Sequence, residues 1–152
     1  MTRPLRSGYR VGKTDGGPEC EAFERELEQY YNVPHARVFN SATSALHAAV
    51  AVTPWETFYV PAYSMSASAA CVLHAGRRLK FADIGDDYCV IPEGNYPHVV
   101  VHLFGHHAER FPKGQTIHDC AQSPTVMPDA KRHGDIWVYS LNQWKIVQSG
   151  EG

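Results

Sequence analysis

Short apolar runs alternate with stretches of helical periodicity along most of this chain. The clearest run is Val99-Val100-Val101, in which consecutive residues are apolar, as in a parallel strand that is buried on both faces. Other runs of strand length are bounded by Pro, Gly, Asp or Asn. The predicted strands are residues 35–40, 56–60, 78–84, 98–104, 115–120 and 135–140.

Three helices are predicted from the same pattern. The first begins at Pro18 with an acidic first turn, and its apolar stripe predicts a packing element rather than a catalytic one. The second follows Ser41, whose hydroxyl can cap it, and the third is a run of small residues from 64 to 75 that ends at Gly76. The stripe of the first helix consists of Cys20, Phe23, Leu27 and Tyr30 or Tyr31.

The order of these elements predicts an α/β fold, a mainly parallel sheet with flanking helices. Right-handed crossovers between parallel neighbours usually need about a dozen residues or more. The connections 84–98 and 105–115 are near that limit, so we expect loops or single turns there instead of full helices. Residues 1–17 lack periodicity and are predicted to form an N-terminal arm, followed by one domain over 18–152.

Composition excludes several classes of protein. The chain is 43% hydrophobic and 20% charged, which is typical of a globular protein, and its net charge of −2 provides no basic footprint for nucleic acid. No apolar run approaches the roughly 18 residues that span a bilayer. The four cysteines are widely spaced and are predicted to be reduced thiols, so we expect a cytoplasmic protein.

Polar side chains follow two of the predicted strands where each strand ends. Asp119 and Gln122 follow the strand 115–120, while Ser140 and Lys145 follow the strand 135–140. Because ligands of open parallel sheets bind at the carboxyl ends of strands, these four side chains are predicted to surround one crevice. A carboxylate, an amide, a hydroxyl and an amine together suit pyridoxal 5'-phosphate.

Two of these residues are the candidate catalytic residues. Lys145 can form a Schiff base with the cofactor aldehyde, because only a primary amine does so. Asp119 can keep the pyridine nitrogen protonated, so that the ring withdraws electrons. Gln122, about one turn beyond Asp119, can reach the ring oxygen, and Ser140 can donate to the phosphate.

A second phosphate contact is predicted at the start of the second helix. A strand that leads directly into a helix of small residues exposes backbone N–H groups where an anion can bind. Ala42 and Thr43 are therefore candidate cofactor-binding residues, with Ala42 expected to be helical. Simple capping of the helix by Ser41 and Thr43 explains this segment equally well.

Several segments, in this order, resemble the DegT/StrS-type sugar aminotransferases, which are fold-type I pyridoxal-phosphate enzymes. The resemblance covers roughly residues 16 to 152, and its order and spacing are more specific than any single motif. The segments are Asn40-Ser41-Ala42-Thr43-Ser44-Ala45-Leu46-His47, His102-Leu103-Phe104-Gly105, Asp119-Cys120-Ala121-Gln122, Ser140 with Lys145, and Gly150-Glu151-Gly152.

The resemblance implies a first portion of a fold-type I large domain, without the family's C-terminal domain. It implies transfer of an amino group from a glutamate-like donor to a nucleotide-linked keto sugar. An aromatic residue often covers the cofactor ring in that family, and its position is Met65 here, with Tyr63 able to compensate. We expect a homo-oligomer or a completing partner chain, because a truncated sheet leaves exposed edges.

Two alternatives remain open at this point. The protein could catalyse another pyridoxal-phosphate reaction, such as dehydration or decarboxylation, or it could be a non-catalytic assembly module. Six histidines from His98 to His133, with Cys120, could suggest a metal site, but His106 and His107 are adjacent and zinc-like spacing is absent from the sequence. No metal is therefore predicted.

Overall fold

The computed structural model of the protein describes residues 17–129 and 134–149. The chain divides into two compact units, Met1–Val38 and Phe39–Gly152. The predicted arm of residues 1–17 lies almost wholly outside the described residues. The predicted domain boundary therefore stays a prediction.

Helix α1, Pro18–Tyr31, is the main described element of the first unit. It begins at the proline, has Glu19 and Glu21 in its first turn, and ends at Asn32, whose backbone is left-handed with φ 50°. The Val33 N–H then donates to the Glu28 carbonyl at 3.1 Å, which closes the helix. The helix is confirmed. None of its residues is buried, so its packing role stays a prediction.

The strand predicted over residues 35–40 is wrong. Two of its backbone N–H groups bond to side chains of α1 instead of to a neighbouring strand. The Ala36 N–H donates to Glu28 Oε1 at 3.1 Å, and the Val38 N–H donates to Glu24 Oε1 at 2.9 Å. Arg37 also reaches Glu24, at 3.2 Å. Two glutamates therefore satisfy donors that a sheet would otherwise have paired.

Five strands of the second unit form one sheet, in the order β2-β1-β3-β4-β5, and all their pairings are parallel. This confirms the predicted α/β class, and each strand lies within one residue of a predicted run or inside it. The strands are β1 (Thr57–Pro61), β2 (Arg78–Ala82), β3 (His98–Val101), β4 (Thr116–Asp119) and β5 (Ile136–Val138).

One face of the sheet carries the two remaining helices, α2 (Ala42–Val52) and α3 (Ser66–His74). Their buried side chains meet alternate residues of the strands and form the main core of this unit. At about 25 cal/mol per Å² of apolar area, this burial is the chief stabilising contribution. The core includes Leu46, Val50, Phe58, Val60, Val72, Val99, Val101 and Ile117.

The other face is covered by irregular connections. The segment after β2 contains an isolated bridge between Ile84 and Val90, and the segment after β3 contains a 3₁₀ turn, Leu103–Gly105. Val90 and Ala108, from these two connections, pack with Tyr59 and Val100 of the sheet. The prediction that loops or single turns replace full helices is confirmed. The same face also holds the buried rings of His98, His102 and His118.

Candidate functional site

Asp119 is the last residue of β4 and is buried, with 5% of its surface exposed. Its Oδ2 accepts a hydrogen bond of 2.9 Å from the Ser68 hydroxyl, and its Oδ1 accepts one of 3.1 Å from the Ala121 N–H. Burial raises the pKa of Asp119, against the lowering effect of these two donors and of the Lys145 charge. The carboxylate therefore gains from a cation placed beside it.

Lys145 follows β5 in a short turn. Its backbone N–H donates to the Asn142 carbonyl at 2.8 Å, and the Trp144 N–H donates to Asn142 Oδ1 at 3.1 Å. These two bonds bring the chain back after β5. The ammonium group then lies near enough to Asp119 to lower the pKa of that carboxyl.

One cleft of about 240 Å³ is shared by Gln122, Ser140 and Lys145. The Gln122 Oε1 accepts a hydrogen bond of 3.0 Å from the Phe104 N–H. Since the carbonyl end of this amide is engaged, its NH₂ end is the part available to an oxygen acceptor. The structure thus brings together three of the four predicted crevice residues, with the fourth, Asp119, within electrostatic reach of Lys145.

Ala42 and Thr43 are the first two residues of α2, and Ser41 is its N-cap. The Ser41 hydroxyl accepts a hydrogen bond of 3.1 Å from the Ser44 N–H, which confirms the part of the capping interpretation that concerns Ser41. The helical conformation expected at Ala42 is also observed. Capping leaves the N–H groups of Ala42 and Thr43 outside the intrahelical pattern, so an anion can still bind there.

The position of α2 relative to the sheet follows from its connections. Only residues 53–56 separate α2 from β1, so the helix ends near the amino edge of the sheet and its N-terminus lies toward the carboxyl edge. The helix packs against β4 and β5, the strands that precede the cleft residues. A phosphate role for Ala42 and Thr43 stays a prediction.

Met65 precedes α3 as its N-cap residue and is 64% exposed. It is not among the residues that line the cleft of Gln122, Ser140 and Lys145. Tyr63 contacts Phe104 and Tyr88 instead, with ring centroids 6.4 and 6.3 Å apart. The stacking predicted for Met65 stays a prediction.

Three site residues were missed by the sequence reasoning: Ser68, Ala121 and Phe104. Each contributes a single hydrogen bond to a predicted site residue across 2 to 51 positions of sequence. Ala121 could have been found, because an Asp side chain commonly accepts from the N–H two residues later. Ser68 and Phe104 could not, because their contacts depend on how α3 and the segment after β3 dock.

A concavity larger than this cleft lies elsewhere among the described residues. A groove of about 490 Å³ follows α1 beside Phe23, Leu27 and Tyr30. Its polar groups are the Glu26 carboxylate, the Gln29 amide and the Tyr30 hydroxyl, but none of its lining residues supplies an amine, which the smaller cleft has in Lys145. Chemistry rather than size therefore identifies the candidate site.

The family model of the DegT/DnrJ/EryC1/StrS aminotransferases matches residues 4–152, almost the whole sequence. The chain belongs to this family. The resemblance seen in the sequence motifs is thereby confirmed, and the parallel sheet with α2 and α3 on one face is the family's fold in this chain.

Two curated relatives and one solved structure illustrate the similarity. A Bacillus subtilis protein, 3-oxo-glucose-6-phosphate:glutamate aminotransferase, is 29% identical over 89% of this chain and 35% of its own length. A Campylobacter jejuni UDP-4-amino-4,6-dideoxy-N-acetyl-beta-L-altrosamine transaminase is 39% identical over 47% of this chain and 20% of its own. The structure of NtdA from Bacillus subtilis with bound cofactor PMP has a TM-score of 0.74 at 27% identity, over 89% of this chain and 36% of NtdA.

This member of the family therefore spans about a third of the first relative's length. Within residues 17–129 and 134–149, no group of three His, Cys, Asp or Glu side chains is placed to hold a metal ion. The same residues contain no helix long and apolar enough to cross a membrane.

Proposed function

We propose that this chain is the cofactor-binding part of a pyridoxal-phosphate-dependent aminotransferase of nucleotide-linked keto sugars. One observation carries the proposal: Gln122, Ser140 and Lys145 line a single cleft, with the buried Asp119 close enough to feel the lysine charge. Family membership supports the same function.

The donor set of the site fits the cofactor. Asp119 is a buried carboxylate whose two mapped donors are neutral, so a protonated ring nitrogen would supply the positive charge that burial makes valuable. The NH₂ end of Gln122 suits a ring oxygen, and the Ser140 hydroxyl with the N–H groups of Ala42 and Thr43 suits a phosphate.

Pyridoxal phosphate would supply an aldehyde that carries the amino group and a ring that withdraws electrons from the carbon losing its proton. The Lys145 amine is the base of this site, because it is the flexible cleft residue that can take up and return that proton. Asp119 holds the proton on the ring nitrogen, and Gln122 orients the ring. Ser140 and the start of α2 retain the phosphate.

The substrate class rests on the relatives' names. One is a transaminase of a UDP-linked amino sugar, and another is an aminotransferase that uses glutamate with an oxo sugar phosphate. We therefore assign a nucleotide-linked keto sugar as acceptor and glutamate or a similar amino acid as donor.

Titration of the purified protein with pyridoxal phosphate tests the cofactor proposal. We expect a visible absorption band, and borohydride should fix the cofactor on Lys145, as read by peptide mass spectrometry. Lys145→Arg should abolish the covalent adduct, while the matched control Lys113→Arg, an exposed lysine, should retain it. An adduct distributed over surface lysines, or its persistence in Lys145→Arg, would refute the assignment.

The reaction class is tested with the loaded protein. Addition of glutamate should convert the bound cofactor to its amine form and release 2-oxoglutarate, which a coupled assay detects. Release of carbon dioxide or ammonia without 2-oxoglutarate would instead indicate decarboxylation or dehydration. Retention of cofactor with no turnover of any donor would favour a non-catalytic assembly module.

We also propose a cytoplasmic homo-oligomer, or a complex with a completing chain. Trp144 and Ile146, on either side of Lys145, are 84% and 81% exposed, so apolar surface borders the cleft itself. The buried free thiols of Cys71, Cys89 and Cys120 suit a reducing compartment. Light scattering at micromolar concentration tests the assembly, and a stable monomer would contradict it.

A further inference from the structure

A chain of buried polar groups crosses the loop-covered face of the sheet. The Ala108 N–H donates to His102 Nδ1 at 3.2 Å, His102 Nε2 lies 3.1 Å from His118 Nδ1, and His118 Nε2 lies 3.1 Å from Asp135 Oδ2. Both histidines are about 1% exposed. His102, His118 and Asp135 are not among the residues of the candidate cofactor site.

The direction of every hydrogen bond in this chain is determined by its first donor. Because the Ala108 N–H occupies His102 Nδ1, the ring proton of His102 must be on Nε2. That proton points to His118 Nδ1, so His118 carries its own proton on Nε2 and donates it to Asp135. Both rings are consequently neutral, and burial lowers the pKa of His102 to about 3.

The backbone of His102 connects this chain to the candidate site. Its N–H donates to the Asp119 carbonyl at 3.0 Å, and its carbonyl accepts a hydrogen bond of 2.8 Å from the Ser123 hydroxyl. Asp119 and Ser123 bracket the turn that carries Gln122. The backbone of His102 therefore bonds to both ends of the segment 119–123, which contains the site residues Asp119 and Gln122.

Asp135 holds the opposite end of the same strand. Its Oδ1 accepts a hydrogen bond of 2.8 Å from the Thr116 N–H, at the first residue of β4. The His118 ring also stacks on Trp137 of β5, with centroids 4.8 Å apart and planes within 2°. These hydrogen bonds thus join the carboxyl end of β4 to the residue after β3, and the amino end of β4 to the residue before β5.

We propose that His118 and Asp135, acting through His102, are positioning residues that hold Asp119 and Gln122 in the geometry of the cleft. The role of that geometry in cofactor binding rests on the proposed function. The geometry itself does not, and it can be measured without any ligand.

Asp135→Asn is the most direct test of these hydrogen bonds. It preserves the shape of the side chain and replaces one acceptor oxygen by a donor NH₂ group. Asn has one acceptor and one donor group where Asp135 has two acceptors. Either orientation sets its N–H against an N–H, that of Thr116 or that of His118. Asp83→Asn, at an exposed acceptor of the Ile84 N–H, is the matched control.

A pair of variants at residue 118 tests the chain even if Asp135→Asn fails to fold. His118→Gln can accept from His102 and donate to Asp135, whereas His118→Met has similar length and can do neither. Both lose the ring stacking on Trp137, so the main difference between them is the pair of hydrogen bonds.

Amide hydrogen exchange supplies the ligand-free readout. The Ala121 N–H is bonded to Asp119 Oδ1 and the Phe104 N–H to Gln122 Oε1, so their exchange reports where those two side chains lie. We expect exchange about 10-fold faster or more at both amides in Asp135→Asn and His118→Met, with His118→Gln and Asp83→Asn near wild type. Unchanged exchange in Asp135→Asn, or equal exchange in the pair at 118, overturns the proposal.

Two further measurements separate this inference from the proposed function. Nitrogen-15 NMR of the imidazoles should find the proton on Nε2 of both His102 and His118, and the opposite tautomer overturns the chain. The dissociation constant for pyridoxal phosphate should rise about 10-fold or more in the same two variants. If wild-type protein binds no cofactor, the proposed function fails, while the exchange rates still decide the positioning role.

Discussion

The Ser68 hydroxyl lies 2.9 Å from Asp119 Oδ2 and donates a hydrogen bond that joins helix α3 to the carboxyl end of β4. Both side chains are buried, and 51 residues separate them in sequence. The bond favours the ionised form of Asp119, since it lowers the pKa that burial raises. The position of α3 thereby influences the charge of the candidate site.

Ser68→Ala tests this relationship. The substitution should cost about 1 to 3 kcal/mol in the free energy of unfolding, because a buried carboxylate oxygen loses a donor. It should also raise the pKa of Asp119 further. Urea denaturation measures the first effect, with Ser66→Ala, at the exposed first residue of the same helix, as the control. Equal stability of the two variants would show that the bond contributes nothing.

Variants of Gln122 should distinguish its structural bond to Phe104 from its proposed contact with the cofactor. Its Oε1 accepts from the N–H of Phe104, whose backbone is left-handed with φ 55°. Gln122→Glu keeps that acceptor but removes the NH₂ donor and adds a negative charge to the cleft. We expect near wild-type stability and pyridoxal-phosphate affinity weaker by roughly 10-fold or more, as an absorption titration would measure.

Gln122→Ala is the comparison for that variant. It removes both the acceptor and the donor, so it should lose affinity and also about 1 kcal/mol of stability. If Gln122→Glu binds the cofactor as tightly as wild type does, the Gln122 NH₂ group does not contact the ring oxygen.

The buried neutral histidines predict loss of stability in mild acid. Burial lowers the pKa of His98 and brings the pKa of His102 to about 3, whereas an unfolded histidine titrates near 6.5. As pH falls below about 6.5, these histidines therefore bind protons in the unfolded state but not in the folded state, which lowers the free energy of unfolding. For His102 alone this costs roughly 2 kcal/mol by about pH 5.

Urea denaturation across that pH range measures the effect. His102→Asn offers an amide oxygen to the Ala108 N–H but does not titrate, so its stability should depend less steeply on pH by about one proton. The same slope in variant and wild type would mean that His102 is protonated in the folded protein.

The cysteines should differ in reactivity. Burial, with the Asp119 charge, raises the pKa of Cys71 to about 12 and that of Cys120 well above its ordinary value, and burial with the Asp87 charge raises the pKa of Cys89 to about 11. Because the thiolate is the nucleophile, alkylation at about pH 8 should spare all three until urea unfolds the protein. Cys20, which is partly exposed on α1, should react in the native state. Mass spectrometry of the peptides distinguishes them.

The elements that sequence predicted well are those with local causes. Pro18 starts α1 with a φ that its ring fixes, the Ser41 hydroxyl caps α2, and Gly76, with φ +70°, follows α3. The valine run of β3 was predicted correctly because consecutive apolar residues are typical of a parallel strand that is buried on both faces. By contrast, the strand predicted at 35–40 failed because Glu24 and Glu28, eight to fourteen residues earlier, take its N–H groups.

The grouping of the candidate site residues was available from the sequence, because strand ends of a parallel sheet share one edge wherever the strands lie. Asp119, Gln122, Ser140 and Lys145 could thus be named together from position alone. What only the tertiary structure decided is which neighbours bond to them: Ser68 from α3 to Asp119, and Phe104 from a left-handed turn to Gln122. Such contacts depend on docking and on the direction of each donor, which residue order does not specify.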